Sequence, residues 1–161
     1  MILKKHVTLF LAGITLICVL DLTTKNLIWQ FRPDLDRIQL WHWVYFRFHQ
    51  NSGFMLGIGS GLDPSIRPWL LGSISLFLIS LLLVFLSIKG FSHCWLALAW
   101  AGVIGGGIAN LIERIYRGAV TDFLQVDFML FKTGIFNLAD LFNLMGLTSI
   151  ACAILFISKS H

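Results

Sequence analysis

The chain is short of charge. Of its 161 residues only 12% are Asp, Glu, Lys or Arg, where soluble domains carry roughly 25%. Proline is scarce, with 3 residues, and the 3 cysteines are odd in number. Cys18, Cys94 and Cys152 make no Cys-x-x-Cys pair, and no two histidines stand at metal-ligand spacing. Each cysteine lies in an apolar run and reads as a small buried residue. No metal and no other cofactor is therefore expected. Lys and Arg form no basic stripe, which argues against nucleic acid as a partner.

What is present is apolar. Hydrophobic residues make up 57% of the chain, and mean hydropathy is +0.83. The length suits one domain, read here as a single integral membrane unit over residues 1–161. A net charge of +4 fits Lys and Arg that meet anionic lipid. The first apolar run follows a basic lead, MILKKH, as a secretory signal does. No small-residue cleavage site follows it, however, and the apolar pattern resumes after Lys25, so the run is expected to stay in place. Spans are expected at about 7–29, 69–88, 94–112 and 135–158, each able to cross about 30 Å of hydrocarbon. In the third, Gly102, Gly105, Gly106 and Gly107 with Ala101 and Ala109 make a strip that allows close helix approach.

Residues 30–66 are expected outside the membrane. Arg32, Asp34, Asp36 and Arg37 break the hydropathy, and Pro33 and Pro64 bracket the region. The aromatic and β-branched stretch 38–49 suits a small β-ribbon lying on the membrane surface, with Trp41, Trp43 and Tyr45 at headgroup level. The Gly-rich stretch 51–61 is either a connection or a lid that cradles substrate. The expected fold class is thus membrane α-helical, four transmembrane helices with a β-ribbon and a Gly-rich loop on one side. Lys4, Lys5, Lys89 and Lys159 fall at the terminal side, and the other eight basic residues fall at the opposite end with all eight acids. Counting basic residues alone puts the termini outside. The basic start of the first helix, and the acids beside the opposite charges, favour termini in the cytoplasm.

Acids at the edge of a hydrocarbon layer need a partner or a purpose. Asp21 and Lys25, four apart, share a helix face as an ion pair or as a head-group orienting device. Asn110 and Arg114 share a face at the end of the third span, and Asn137 and Asp140 share one at the start of the fourth. Asp122, on the connection between them, can fold back toward Asp140. Two carboxyls at one spot hold a proton between them, so one can act as general base on a water. Spacing alone equally allows a structural ion pair of either acid with Arg114. A proton-coupled transporter subunit is a further alternative, against which the apolar terminal half of every span speaks.

Five motifs in order carry a resemblance. They are D-x-x-x-K at 21–25, N-x-G at 51–53, G-x-x-x-N-x-x-x-R at 106–114, G-x-V-x-D-F at 118–123 and F-N-x-A-D at 136–140. With these the chain resembles the lipoprotein signal peptidases, the bacterial signal peptidase II family of aspartyl membrane proteases, over essentially its whole length. The resemblance implies that Asp122 and Asp140 are the catalytic dyad, facing the periplasm from the inner membrane. It implies a prolipoprotein substrate cut before a cysteine that carries diacylglycerol, and inhibition by globomycin-like cyclic peptides. Asn51, Gly53, Asn110, Arg114 and Asn137 would then position substrate or dyad, with Asp21 and Lys25 in support, in a chain acting as a monomer among membrane lipid. Two places depart from the family pattern. Phe54, Met55 and Leu56 follow N-x-G where small residues and then Phe are common, and Glu113 stands where an Asp is usual. Both bear on substrate preference and efficiency rather than on reaction type. An inactive lipoprotein-binding homologue is the remaining alternative.

Overall fold

The computed structural model describes residues 2–31, 37–54 and 58–157. Its elements are α1 (Ile2–Phe31), β1 (Arg37–Trp41), β2 (Val44–Asn51), α2 (Arg67–Lys89), α3 (Cys94–Arg117), β3 (Val120–Phe128), β4 (Phe131–Lys132) and α4 (Leu138–Ile157). All four helices are long and apolar enough to cross a membrane. A helix satisfies its own backbone, which is what such charge-poor runs need in lipid. The strands arise from the C-terminal ends of α1 and α3 and lead into the N-terminal ends of α2 and α4, so they gather at one end of the bundle.

The third helix is central. It buries far more of itself than α1, α2 or α4, whose apolar side chains mostly face outward. Phe10 of α1, Ile79 and Leu86 of α2, and Ala97, Ala101, Ile104 and Leu111 of α3 form the core. The small residues serve two faces. A Cβ at Gly13 of α1 would lie 2.8 Å from that of Ala101, and one at Gly105 would lie 3.2 Å from the Ile14 backbone. On the other side, a Cβ at Gly102 would lie 2.8 Å from the Phe142 carbonyl, and one at Gly106 would run into the Ala139 carbonyl and the Asn143 amide. Turned so that its nitrogen faces α3, Asn143 donates to the Val103 carbonyl at 2.7 Å. Glycine is thus what lets α4 lie against α3 here, one turn before Asn110.

Helix α3 runs past the expected end at 112, through Glu113 and Arg114, to Arg117. Gly118 stops it in the left-handed region (φ 76°), its N–H bonded to the Arg114 carbonyl. The next residues correct the sequence reading most. The connection that carries Asp122 is a nine-residue strand, β3, inside a four-stranded antiparallel sheet of order β1-β2-β3-β4. Val120, Thr121, Asp122 and Phe123 are buried at its start. Residues 135–137 lie before α4, because Phe136 bonds across to Leu124 through both backbone groups at 2.8 Å. At the far end of the sheet Trp43 packs edge-on to Phe128, while Trp41 is 72% exposed. The cysteines are not buried as expected: Cys94 and Cys152 lie on outward faces and Cys18 is half-buried. Arg32, Pro33, Asp34, Asp36, Met55, Leu56 and Lys159 fall outside the described residues.

The glycine contact yields a test. Gly106→Ala overpacks the α3–α4 interface and is expected to lower stability by about 1–3 kcal/mol. Gly134→Ala, with nothing within 4 Å of its added Cβ, should melt like wild type. Thermal unfolding in detergent micelles measures both, and equal melting would mean that the two helices do not approach this closely.

Candidate active site

Asn137 is the hinge of the site. It caps α4, its Oδ1 accepting the backbone N–H of Asp140 at 2.9 Å. In return Asp140 Oδ2 accepts the backbone N–H of Asn137 at 3.3 Å. That is a capping box with Asp in the third helical position. The amide nitrogen left over donates to Asp122 Oδ1 at 2.7 Å. One fully buried asparagine therefore ties both acids together. The Leu124–Phe136 bridge makes this possible, since it sets strand β3 beside the residue that precedes Asn137.

A second arm reaches Asp140 from α1. Asp21 Oδ1 accepts the Ala139 N–H at 2.9 Å, which satisfies another orphan donor of the α4 N-terminus. Its other oxygen pairs with Lys25 Nζ at 2.6 Å. Lys25 also pairs with Glu113 Oε2 at 3.1 Å and donates to Asn110 Oδ1 at 2.7 Å. Two carboxylates and one amide oxygen thereby surround a buried ammonium, the carboxylates as ion-pair partners and Asn110 as hydrogen-bond acceptor. With its oxygen held by Lys25, the Asn110 amide presents Nδ2 to Asp140 Oδ1 at 2.9 Å.

Arg114 turns elsewhere. Its guanidinium donates to the carbonyls of Ser52 (3.3 Å) and Gly53 (2.7 Å), and it lies over the Phe54 ring. Asn51 shapes the same turn by accepting the Gly53 N–H at 3.0 Å. The structure thus brings Asp21, Lys25, Asn110, Asn137, Asp122 and Asp140 into one network, and it makes Asn51, Gly53 and Arg114 the anchor of the adjoining loop. Glu113 goes unassigned in the sequence reading beyond its departure from the family pattern. Two signals point to it: it lies three residues after Asn110, on the same helix face, and a carboxylate in an apolar setting requires a cation.

Asp122 is 2% exposed. Burial, and then the neighbouring Asp140 carboxylate, push its pKa up to about 7, although the amides of Asn51 and Asn137 and the charge of Lys25 oppose the shift. Asp140 is only half-buried, so the pair opens to its surroundings on that side. Two carboxyls that share hydrogen-bonded amides at the end of a helix bundle can hold one proton between them and polarise a water.

Residues 13–156 match the family described as signal peptidase (SPase) II. The chain belongs to the signal peptidase II family. The lipoprotein signal peptidase of Treponema pallidum (strain Nichols) is 34% identical over 96% of this chain and 82% of its own. That of Halalkalibacterium halodurans is 31% identical, covering 77% of each chain. A solved structure described as a bacterial membrane enzyme shares the fold, with a TM-score of 0.76 and 24% identity over 91% of this chain and 92% of that one. The chain is a multi-pass bacterial membrane protein with the signal peptidase II function, a protease of the aspartic type. A transporter reading falls away with family membership.

The raised Asp122 carboxyl links stability to pH. Folded, it holds its proton up to about 7, whereas its ordinary value is 3.8. Between those values the folded state binds more protons than the unfolded one, so stability falls as pH rises through the window. The penalty is absent below about 4 and complete above about 7. Asp122→Asn should flatten this slope and melt above wild type at pH 8. Melting curves recorded from pH 4 to 8 decide it; parallel slopes for both proteins would sink the linkage.

Proposed function

We propose that Asp122 and Asp140 are the catalytic pair of this peptidase, and that the substrate is a prolipoprotein cut just before a cysteine bearing diacylglycerol. The observation that carries this reading is Asn137, whose single side chain and backbone hold both carboxylates. Asp140 receives N–H donors from Asn110 and Asn137 at a helix N-terminus. It is the general base that deprotonates water for attack on the scissile carbonyl. Asp122, which keeps its proton toward neutral pH, protonates the developing oxyanion, and as the intermediate collapses the proton that Asp140 took from water goes to the leaving amine. The hydroxyl proton on the former oxyanion returns to Asp122 as the carbonyl re-forms, and the pair titrates as one unit. No cofactor enters these steps.

In the same reading, residues 1–161 act as one domain and one monomer with a complete site. Asn51, Gly53 and Arg114 hold the turn at 51–54 beside the site, and Asp21, Lys25, Asn110 and Asn137 hold the acids. The termini lie in the cytoplasm, the site faces the periplasm of the inner membrane, and globomycin-like peptides compete with substrate.

Cleavage of a diacylglyceryl-modified prolipoprotein by the purified protein tests the assignment. Asp122→Asn and Asp140→Asn are expected to lose about 10²–10⁴-fold in kcat while still binding substrate. Wild-type-like turnover in either variant would remove that acid from the mechanism.

A further inference from the structure

Glu113 is a buried carboxylate outside the pair that reaches both Lys25 and strand β3. It is 3% exposed and four groups surround it. Oε2 pairs with Lys25 Nζ at 3.1 Å and accepts the Thr121 N–H at 3.0 Å. Oε1 accepts the Thr121 hydroxyl at 2.6 Å and pairs with Arg117 Nη1 at 3.2 Å. The Thr121 hydroxyl is itself held by Trp29 Nε1 at 2.7 Å, and the Arg117 guanidinium lies 4.6 Å from the Trp29 ring. Two routes leave this carboxylate. One runs through Lys25 and Asn110 to Asp140. The other runs through Thr121 to the next residue of β3, Asp122.

We infer that Glu113 is a positioning residue that sets the spacing and the proton affinity of the Asp122–Asp140 pair. Nothing here makes it touch substrate. Its position on α3 fixes how far strand β3 can move relative to α1, because Thr121 is gripped at both backbone and hydroxyl. Its charge also offsets Lys25. The charged groups around the pair are Asp21 and Lys25 from α1, Glu113, Arg114 and Arg117 from α3, with Arg67 from α2 acting on Arg114, and His49, which stands opposite Asp122 in the β2–β3 register. Removing the negative charge of Glu113 leaves the Lys25 ammonium less compensated, and its field then favours loss of the proton that the pair shares. The extra methylene of Glu over Asp supplies the reach to Thr121, whose hydroxyl and N–H lie on a different element from Lys25.

This inference rests on the Asp122–Asp140 assignment, so the experiment runs the variants of both together. The purified full chain cleaves lipidated prolipoprotein from pH 5 to 9, and kcat, KM and the alkaline limb are read. Glu113→Gln is expected to lower kcat about ten- to hundredfold, as small displacements of catalytic groups do. It should leave KM within about twofold and move the alkaline limb to lower pH. Glu113→Asp keeps the charge and so restores the limb to its wild-type position, with kcat reduced severalfold through lost reach. Thr121→Val likewise keeps the limb and lowers kcat. Loss of kcat in Glu113→Gln with an unmoved limb, or a rise in KM alone, would overturn the inference. If Glu113→Gln fails to fold, Glu113→Asp and Thr121→Val decide: wild-type kcat in both overturns it, and reduced kcat with an unmoved limb upholds it. Activity surviving in Asp122→Asn or Asp140→Asn is a separate failure, that of the dyad itself.

Discussion

A lysine ammonium sealed inside a membrane bundle, 1% exposed, is the constraint to which the site answers. Leaving water costs such a charge several kcal/mol, and only close, well-shaped acceptors offset that cost. Lys25 has three: Asp21, Glu113 and the Asn110 oxygen. Each acceptor has a second duty. Asp21 caps α4 at Ala139, Glu113 grips β3 at Thr121, and Asn110 turns its nitrogen to Asp140. Satisfying one buried cation therefore draws α1, α3, β3 and the start of α4 to a common point. Removing any one acceptor unbalances a buried charge and loosens a catalytic element at the same time.

Backbone geometry makes the meeting possible. The α3–α4 approach at Gly102 and Gly106 brings the Asp140 turn within reach of Asn110. The Gly118 cap then reverses the chain into β3, and the Leu124–Phe136 bridge returns it to Asn137. The two acids come from a strand and from a capped helix N-terminus. A site held on such elements keeps its geometry better than one carried on a loop. The mobile part of the chemistry is then confined to water and substrate.

Much of this was legible in residue spacing, because helix geometry is local. The four apolar runs, the shared face of Asp21 and Lys25, and the shared face of Asn137 and Asp140 all follow from a 3.6-residue repeat. Strand β3 did not announce itself. Its residues 120–128 read as a polar excursion between spans, since sheet pairing is decided by distant partners in β2. The direction taken by Arg114 was hidden for a similar reason. Its acceptors are backbone carbonyls of a loop sixty residues earlier, which no side-chain pattern encodes. Glu113 was visible as a departure but not as a junction, because its role needs Lys25 and Thr121 together in space.

Counting charge at the site shows why folding and catalysis ask for the same proton. Asp21, Glu113, Asp122 and Asp140 face Lys25, Arg114 and Arg117 across a few side chains. Lys25 and Arg117 pair with Asp21 and Glu113, while Asp122 bears the repulsion of Asp140 in a buried place, where a second negative charge is expensive. A single proton removes it, and Asp122 is the acid whose pKa has moved to about 7 to hold one. Hydrolysis by an acid–base pair needs that same singly protonated state. The fold therefore need not be strained to prepare the reactive form. Burial of Asp122 and the carboxylate of Asp140 facing it already favour that state.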